Sequence, residues 1–327
     1  MITKNNLPTL IRIFSYSILA ITFVFLMNNV LTVWFDWPGI KQLYSHYGLF
    51  GFKKLNKPLE ETVLNLAFIQ LFFYFISLLF VIFYVLKTIN KSLQSDSEIL
   101  TKFTAYIIRS SFWAVFIVGI ADCIVSFLIV ERLAEPIFNE AIKYNLVNPN
   151  FRITFIHFPL ILISFVIGYF TRTVGFIWLA VLVVGSEFSI VLSRFIFEYE
   201  QAFQGDLVRF WYSALYLFAS AYALMHEGHV RVDVLYTGFS ERKKAWTNSI
   251  GSLVLGIPLC LIVIFLGMGG KASIINGPVI SFEITQQGSN GLYLLYLMAV
   301  YLAVFAVSML MQFTSYFMSS SHKLLKS

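Results

Sequence analysis

Long apolar runs separated by short polar stretches fill the chain from residue 10 onward. A helix that crosses a bilayer needs about 20 predominantly apolar residues. Eight runs approach or exceed that length: Leu10–Trp34, Thr62–Leu86, Phe103–Val130, Ile153–Phe170, Thr173–Phe197, Leu207–Met225, Trp246–Gly267 and Gly291–Phe317. They lack the apolar–polar alternation of a membrane barrel strand. Lipid offers an exposed backbone no hydrogen-bond partner, so helices are the expected element. The pattern predicts an all-α polytopic integral membrane protein with about eight transmembrane helices. Only Thr171-Arg172 separates the fourth and fifth runs, which predicts a tight antiparallel pair. The join divides the chain into residues 1–171 and 172–327. No internal repeat relates the two parts. Four helices in each would return both to the same orientation, which disfavours an inverted repeat.

Composition agrees with the pattern. Of 327 residues, 58% are hydrophobic and 12% are charged, where a soluble domain carries about 25% charged residues. The net charge of +6 is spread over loops and leaves no nucleic-acid footprint. Leu7 to Phe35 is too long for a signal-peptide core and lacks a small-residue cleavage site, so it reads as the first span. With the N-terminus inside, twelve Lys/Arg fall on the cytoplasmic side and nine outside. Four of the nine are lysines of the 36–61 loop. The bias places both termini in the cytoplasm. Ser240 and Glu241 suit the start of the seventh run, and Pro258 should kink it.

Polar residues at membrane depth need partners. Glu187 and Arg194, seven apart, share a helical face and mark either an ion path or a polar seam against a partner helix. Arg109 and Asp122 lie on different faces and do not pair. His157 and His226 sit at opposite helix ends, which fails the matching depth a bis-histidine haem requires. His226 and His229 lack a third ligand for a metal. Cys123 and Cys260 lie inside apolar runs with no metal or redox spacing. No catalytic set, phosphate loop or dinucleotide fingerprint is present, so no cofactor and no enzyme activity are implied. A stand-alone channel or membrane enzyme is the alternative class. The first would want a ring of pore-lining polar residues, the second a convergent catalytic set.

The most distinctive polar run is Glu227-Gly228-His229-Val230-Arg231-Val232-Asp233, followed by Ser240-Glu241-Arg242-Lys243-Lys244. Before it stand Trp178-Leu179-Ala180, Leu192-Ser193-Arg194-Phe195 and Ala221-Tyr222-Ala223-Leu224. After it come Gly251, Pro258, Glu283-Ile284-Thr285 and Gly291-Leu292. In this order, residues 173–317 resemble the small membrane subunit of tripartite ATP-independent periplasmic (TRAP) transporters, the DctQ-like family. Asp206 stands where that family more often has Glu, Thr285 replaces Ser, and residues 1–171 have no counterpart in the usual four-helix subunit.

The resemblance implies a scaffold in the bacterial inner membrane. Its expected partners are a large DctM-like permease subunit, a periplasmic substrate-binding protein and membrane lipids, in sodium-coupled uptake of an organic acid. It makes Glu187, Arg194, Asp206, His229, Arg231, Asp233 and Glu283 structural or interface candidates rather than catalytic ones. His229, Arg231 and Asp233 are expected at the inner interface, with Arg231 reaching lipid phosphate or a helix end. Residues 269–290 are expected on the periplasmic face, in docking of the binding protein. Residues 172–317 are expected to meet the permease through Glu187, Arg194 and the small residues Ala219, Ser220, Ala221 and Ala223.

Overall fold

A computed structural model describes residues 6–172, 176–196, 198–225, 236–284 and 291–326. It is helical throughout its long elements, with no strand among the described residues. In chain order these are α1 (Leu7–Trp34), α2 (Gly39–Tyr47), α3 (Glu61–Lys87), α4 (Leu93–Val130), α5 (Glu140–Val147) and α6 (Pro149–Phe170). Then follow α7 (Phe176–Ile196), α8 (Ala202–Met225), α9 (Glu241–Gly267), α10 (Asn276–Ile280) and α11 (Leu295–Lys326). Seven of the described helices are long and apolar enough to cross a membrane: α1, α3, α4, α6, α7, α9 and α11. The eighth expected run is also a helix, α8, and its 24 residues would span roughly 36 Å. Gln204, Asp206, Arg209 and Ser213 dilute its apolar character. The expected run from Phe103 starts ten residues earlier, at Leu93, because a polar turn bearing Asp96 continues the helix outward. The last run likewise extends to Lys326.

Residues 6–100, 236–273 and 313–326 form one compact unit. The outer faces of its helices are oily, as bilayer solvent demands: Phe72, Phe75, Phe80 and Phe83 of α3 are all exposed. A set of polar side chains points inward, among them Arg12, Asn28, Gln70 and Asp96. Arg12 of α1 is 1% exposed and pairs with Asp96 at 2.5 Å. Its remaining donors go to the Thr88 carbonyl at 2.7 Å and the Thr88 hydroxyl at 2.8 Å. Gln70, fully buried in α3, ties three segments together. Its carbonyl oxygen Oε1 accepts from Gly39 N–H at 2.8 Å, its amide donates to Thr32, and its backbone carbonyl accepts from Asn28. Gly39 has φ +75°, a conformation that side-chain-bearing residues rarely adopt, and this brings its N–H onto Gln70. Asn29 reaches the Met268 carbonyl at the end of α9 at 2.6 Å.

Small residues let α9 and the end of α11 approach closely. A Cβ added at Gly256 would meet the Phe313 ring at 2.6 Å. Ser240 caps α9 by accepting from Lys243 N–H, as expected. Pro258 acts through a π turn over Ser252–Gly256. Proline has no N–H to donate and its ring crowds the carbonyl four residues back, and a wider turn relieves both. The same device precedes Pro159 in α6, where the π turn covers Ile153–His157.

Residues 101–172, 176–196, 198–225, 274–284 and 291–312 form the second unit. Two glycine contacts set its helix crossings. A Cβ at Gly168 of α6 would sit 2.9 Å from the Ser110 backbone of α4, and one at Gly119 would meet the Trp211 indole at 2.8 Å. Arg109 donates to the Gly168 carbonyl at 3.3 Å, so it satisfies backbone at the same crossing. Phe210 and Phe218 of α8 pack on Tyr301 of α11. Ala214 and Ala221 are fully buried on that side, so these small residues of α8 pack inside the chain.

Candidate functional site

The densest polar chemistry of the second unit surrounds Asp122, near the C-terminal end of α4. The carboxylate is fully buried, as are Arg152 and His157 from the first turns of α6. Arg152 Nε lies 2.5 Å from Asp122 Oδ1, and His157 Nε2 lies 2.8 Å from the same oxygen. Asp122 Oδ2 accepts the backbone N–H of Tyr293 at 2.8 Å. Arg152 also donates to the Asp122 carbonyl at 2.6 Å and to Ser126 Oγ at 2.7 Å, and its guanidinium lies 4.4 Å from the centre of the Tyr293 ring. With Nε2 donating to Asp122, His157 Nδ1 is left to accept from the Tyr296 hydroxyl at 3.0 Å. The π turn makes this possible. Its extra residue rotates the helix face by about 100°, so that Arg152 before it and His157 at its end both address Asp122.

The cluster grips the entry to α11. Helix entries carry N–H groups with no partner in the helix, and carboxylates suit that end. Here two carboxylates from other helices accept N–H groups of the segment just ahead of the helix. Tyr293 N–H goes to Asp122, and Leu292 N–H goes to Asp206 Oδ2 at 3.3 Å. Asp206, 2% exposed, faces Arg209 at 3.8 Å through its other oxygen. The Tyr293 hydroxyl donates to the Val147 carbonyl at 2.7 Å, and burial raises its pKa above the usual phenol value, so it remains a donor. Glu283 is half-buried, and its carbonyl accepts the Tyr296 N–H at 3.0 Å. A void of only about 10 Å³ remains beside Arg152 and Tyr293, too small for a solute. Each Asp122 oxygen is engaged. The arrangement fixes position; it leaves no open ligand seat.

The sequence-derived candidates are therefore scattered. Asp206 joins the α11 entry, and Glu283 lies beside it. Glu187 and Arg194 do not pair: Arg194 is exposed and pairs with Glu200, beyond the end of α7. Glu187 is exposed on α7. His229, Arg231 and Asp233 lie outside the described residues. Sequence reading missed the Asp122–Arg152–His157 set. It counted Arg152, like Arg12, only among the charges that set sidedness, whereas both are buried inside helices. The available signal was three polar residues, Asp122, Arg152 and His157, in or beside the last third of one apolar run and the start of the next. Among the described residues no group of three or more His, Cys, Asp or Glu is placed to hold a metal.

Residues 183–318 match the family model described as tripartite ATP-independent periplasmic transporters, DctQ component. The matched stretch, carried on α7, α8, α9 and α11, is similar to the small permease component of those transporters, and it lies in a chain with seven described helices long and apolar enough to cross a membrane. No curated protein and no solved structure matches the chain. The match holds Asp206, Leu292, Tyr293 and Tyr296. Asp122, Arg152 and His157 come from the additional N-terminal helices outside it.

Proposed function

We propose, from the DctQ domain at residues 183–318, that the chain is the small membrane subunit of a TRAP transporter. In this reading it braces a large permease subunit while that subunit imports an organic acid, coupled to sodium and delivered by a periplasmic binding protein. Both termini are cytoplasmic. The α11 entry and residues 269–290 then face the periplasm and help dock the binding protein. Residues 172–317 are the part that meets the permease, and residues 1–171 are an additional membrane region that buttresses it.

The single observation carrying the reading is the family match. The saturated Asp122 cluster supports a static role, since a substrate path needs polar groups with unspent capacity. The test is coexpression of the full chain with a tagged DctM-like subunit, then reconstitution with the binding protein in vesicles under a sodium gradient. Copurification and sodium-dependent uptake requiring both membrane chains are expected. Uptake by the large subunit alone would overturn the scaffold role.

A further inference from the structure

Helix α7 is the least covered of the seven apolar spans, with 11% of its most apolar window buried. Its exposed side chains are ordered. Ile177, Val181, Val184, Phe188, Val191 and Phe195 recur at spacings of four, three, four, three and four, and each is between 47% and 83% exposed. That is the seam of a left-handed helix pair, in which ridges three apart on one helix fit grooves four apart on the next. Beside the seam, a Cβ at Gly185 would meet nothing within 4 Å. Val181 also borders an apolar hollow of about 530 Å³ lined by Phe112, Trp113, Phe116 and Trp178.

The charges flank this seam. Glu187 and Arg194 each stand one residue ahead of a seam aromatic, Phe188 and Phe195. In paired helices that position carries the side chains that reach across to the partner and choose it. Arg194 is already committed to Glu200. Glu187 has no hydrogen-bond or ion-pair partner among the described residues. It lies eleven residues into α7, roughly 16 Å along the axis, near the middle of a hydrocarbon core about 30 Å thick. A carboxylate facing acyl chains at that depth is costly, and such groups normally face another helix and a complementary charge.

We propose that α7 is the helix on which the large permease subunit seats one of its own, and that this permease helix carries a lysine or arginine opposite Glu187. The assignment rests on the small-subunit reading above and adds the surface, the packing geometry and the chemistry of the partner. An apolar seam alone would suit lipid equally well. The unmatched carboxylate on its flank is what selects a cationic protein helix.

The full chain is coexpressed with the large subunit, and copurification is measured for wild type, Glu187→Gln and Glu187→Lys. A photo-crosslinking amino acid is placed in turn at Val184, Phe188 and Val191, with Phe72 of α3 as the comparison. At least a tenfold loss of captured permease is expected for Glu187→Lys and a smaller loss for Glu187→Gln. Crosslinks to the permease should arise from the α7 positions and not from Phe72. Changing one basic residue of the crosslinked permease helix to Glu should restore capture by Glu187→Lys. Unchanged capture by Glu187→Lys, or crosslinks from Phe72 but none from α7, would overturn the assignment and leave the small-subunit reading standing. Failure of the unmodified chain to capture the permease would remove both.

Discussion

Replacing Asp122 by leucine tests whether the buried cluster holds the second unit together. The substitution removes one of two oppositely charged groups that are both out of contact with solvent. Breaking a buried pair from one side costs about 3–5 kcal/mol, because the survivor is left charged and unmatched. Arg152 keeps the residue-122 carbonyl and Ser126 Oγ, which temper the loss. Tyr293 N–H loses its acceptor, which adds about 1–3 kcal/mol when no water replaces it. A net cost of about 3–5 kcal/mol is a large share of a total stability of about 5–15 kcal/mol. Removing both charges, as Asp122→Leu with Arg152→Met, leaves neither ion stranded and should cost no more than either single change. The assay is reversible unfolding of the detergent-solubilised chain, by titration with a denaturing detergent, for wild type, both single variants and the double variant. Single variants within about 1 kcal/mol of wild type, or a double variant as unstable as the sum of the singles, would refute the reasoning.

The first unit makes a parallel demand: Arg12→Lys should unfold at lower denaturant than wild type despite keeping its charge. An ammonium lacks the planar fork that meets Asp96, the Thr88 carbonyl and the Thr88 hydroxyl together. Gly168→Leu should cost about 1–3 kcal/mol in the same unfolding assay, because its side chain enters the Ser110 backbone. Topology reporters fused after residues 53, 138, 199 and 272 should read outside and those fused after 90 and 238 inside; an external signal at 238 would reverse the orientation. Glu283→Arg should weaken substrate delivery by the binding protein without lowering the amount of subunit in the membrane, and unchanged uptake would assign it a local role at the α11 entry only.

The spans were legible because a bilayer imposes one demand, apolarity over a fixed length, that any stretch of sequence displays by itself. Their ends were less so. Leu93–Lys102 is helical but amphipathic, and an apolar run gives no sign of it. The short helices α2 and α5 lie in polar loops for the same reason. The Asp122 cluster was illegible because its members are brought together by a π turn and by helix neighbours far apart in sequence. A regular helical wheel misplaces every residue beyond such a turn. The expected face shared by Glu187 and Arg194 was geometrically sound, yet Glu200, just past the helix end, competes more closely for the arginine. Removing Arg12 and Arg152 from the twelve and nine charges counted by side takes one from each and leaves the inside bias unchanged.

The Asp122 clamp also sets a timetable for synthesis. Residue 122 enters the membrane 30 residues before Arg152 and 171 residues before Tyr293. At roughly 5–20 residues per second, arginine arrives on the order of 2–6 s later, and the α11 entry on the order of 9–34 s later. The nascent chain therefore closes its ion pair within one helical hairpin, while the transmembrane segments that follow are still on the ribosome. That half-built pocket then waits, with one carboxylate oxygen uncommitted, for the last helix to be released. A ribosome stalled before residue 291 would leave the additional N-terminal helices charged, partly assembled and without the element they are shaped to receive. Membrane quality control would meet such a chain as an orphan of its own C-terminus.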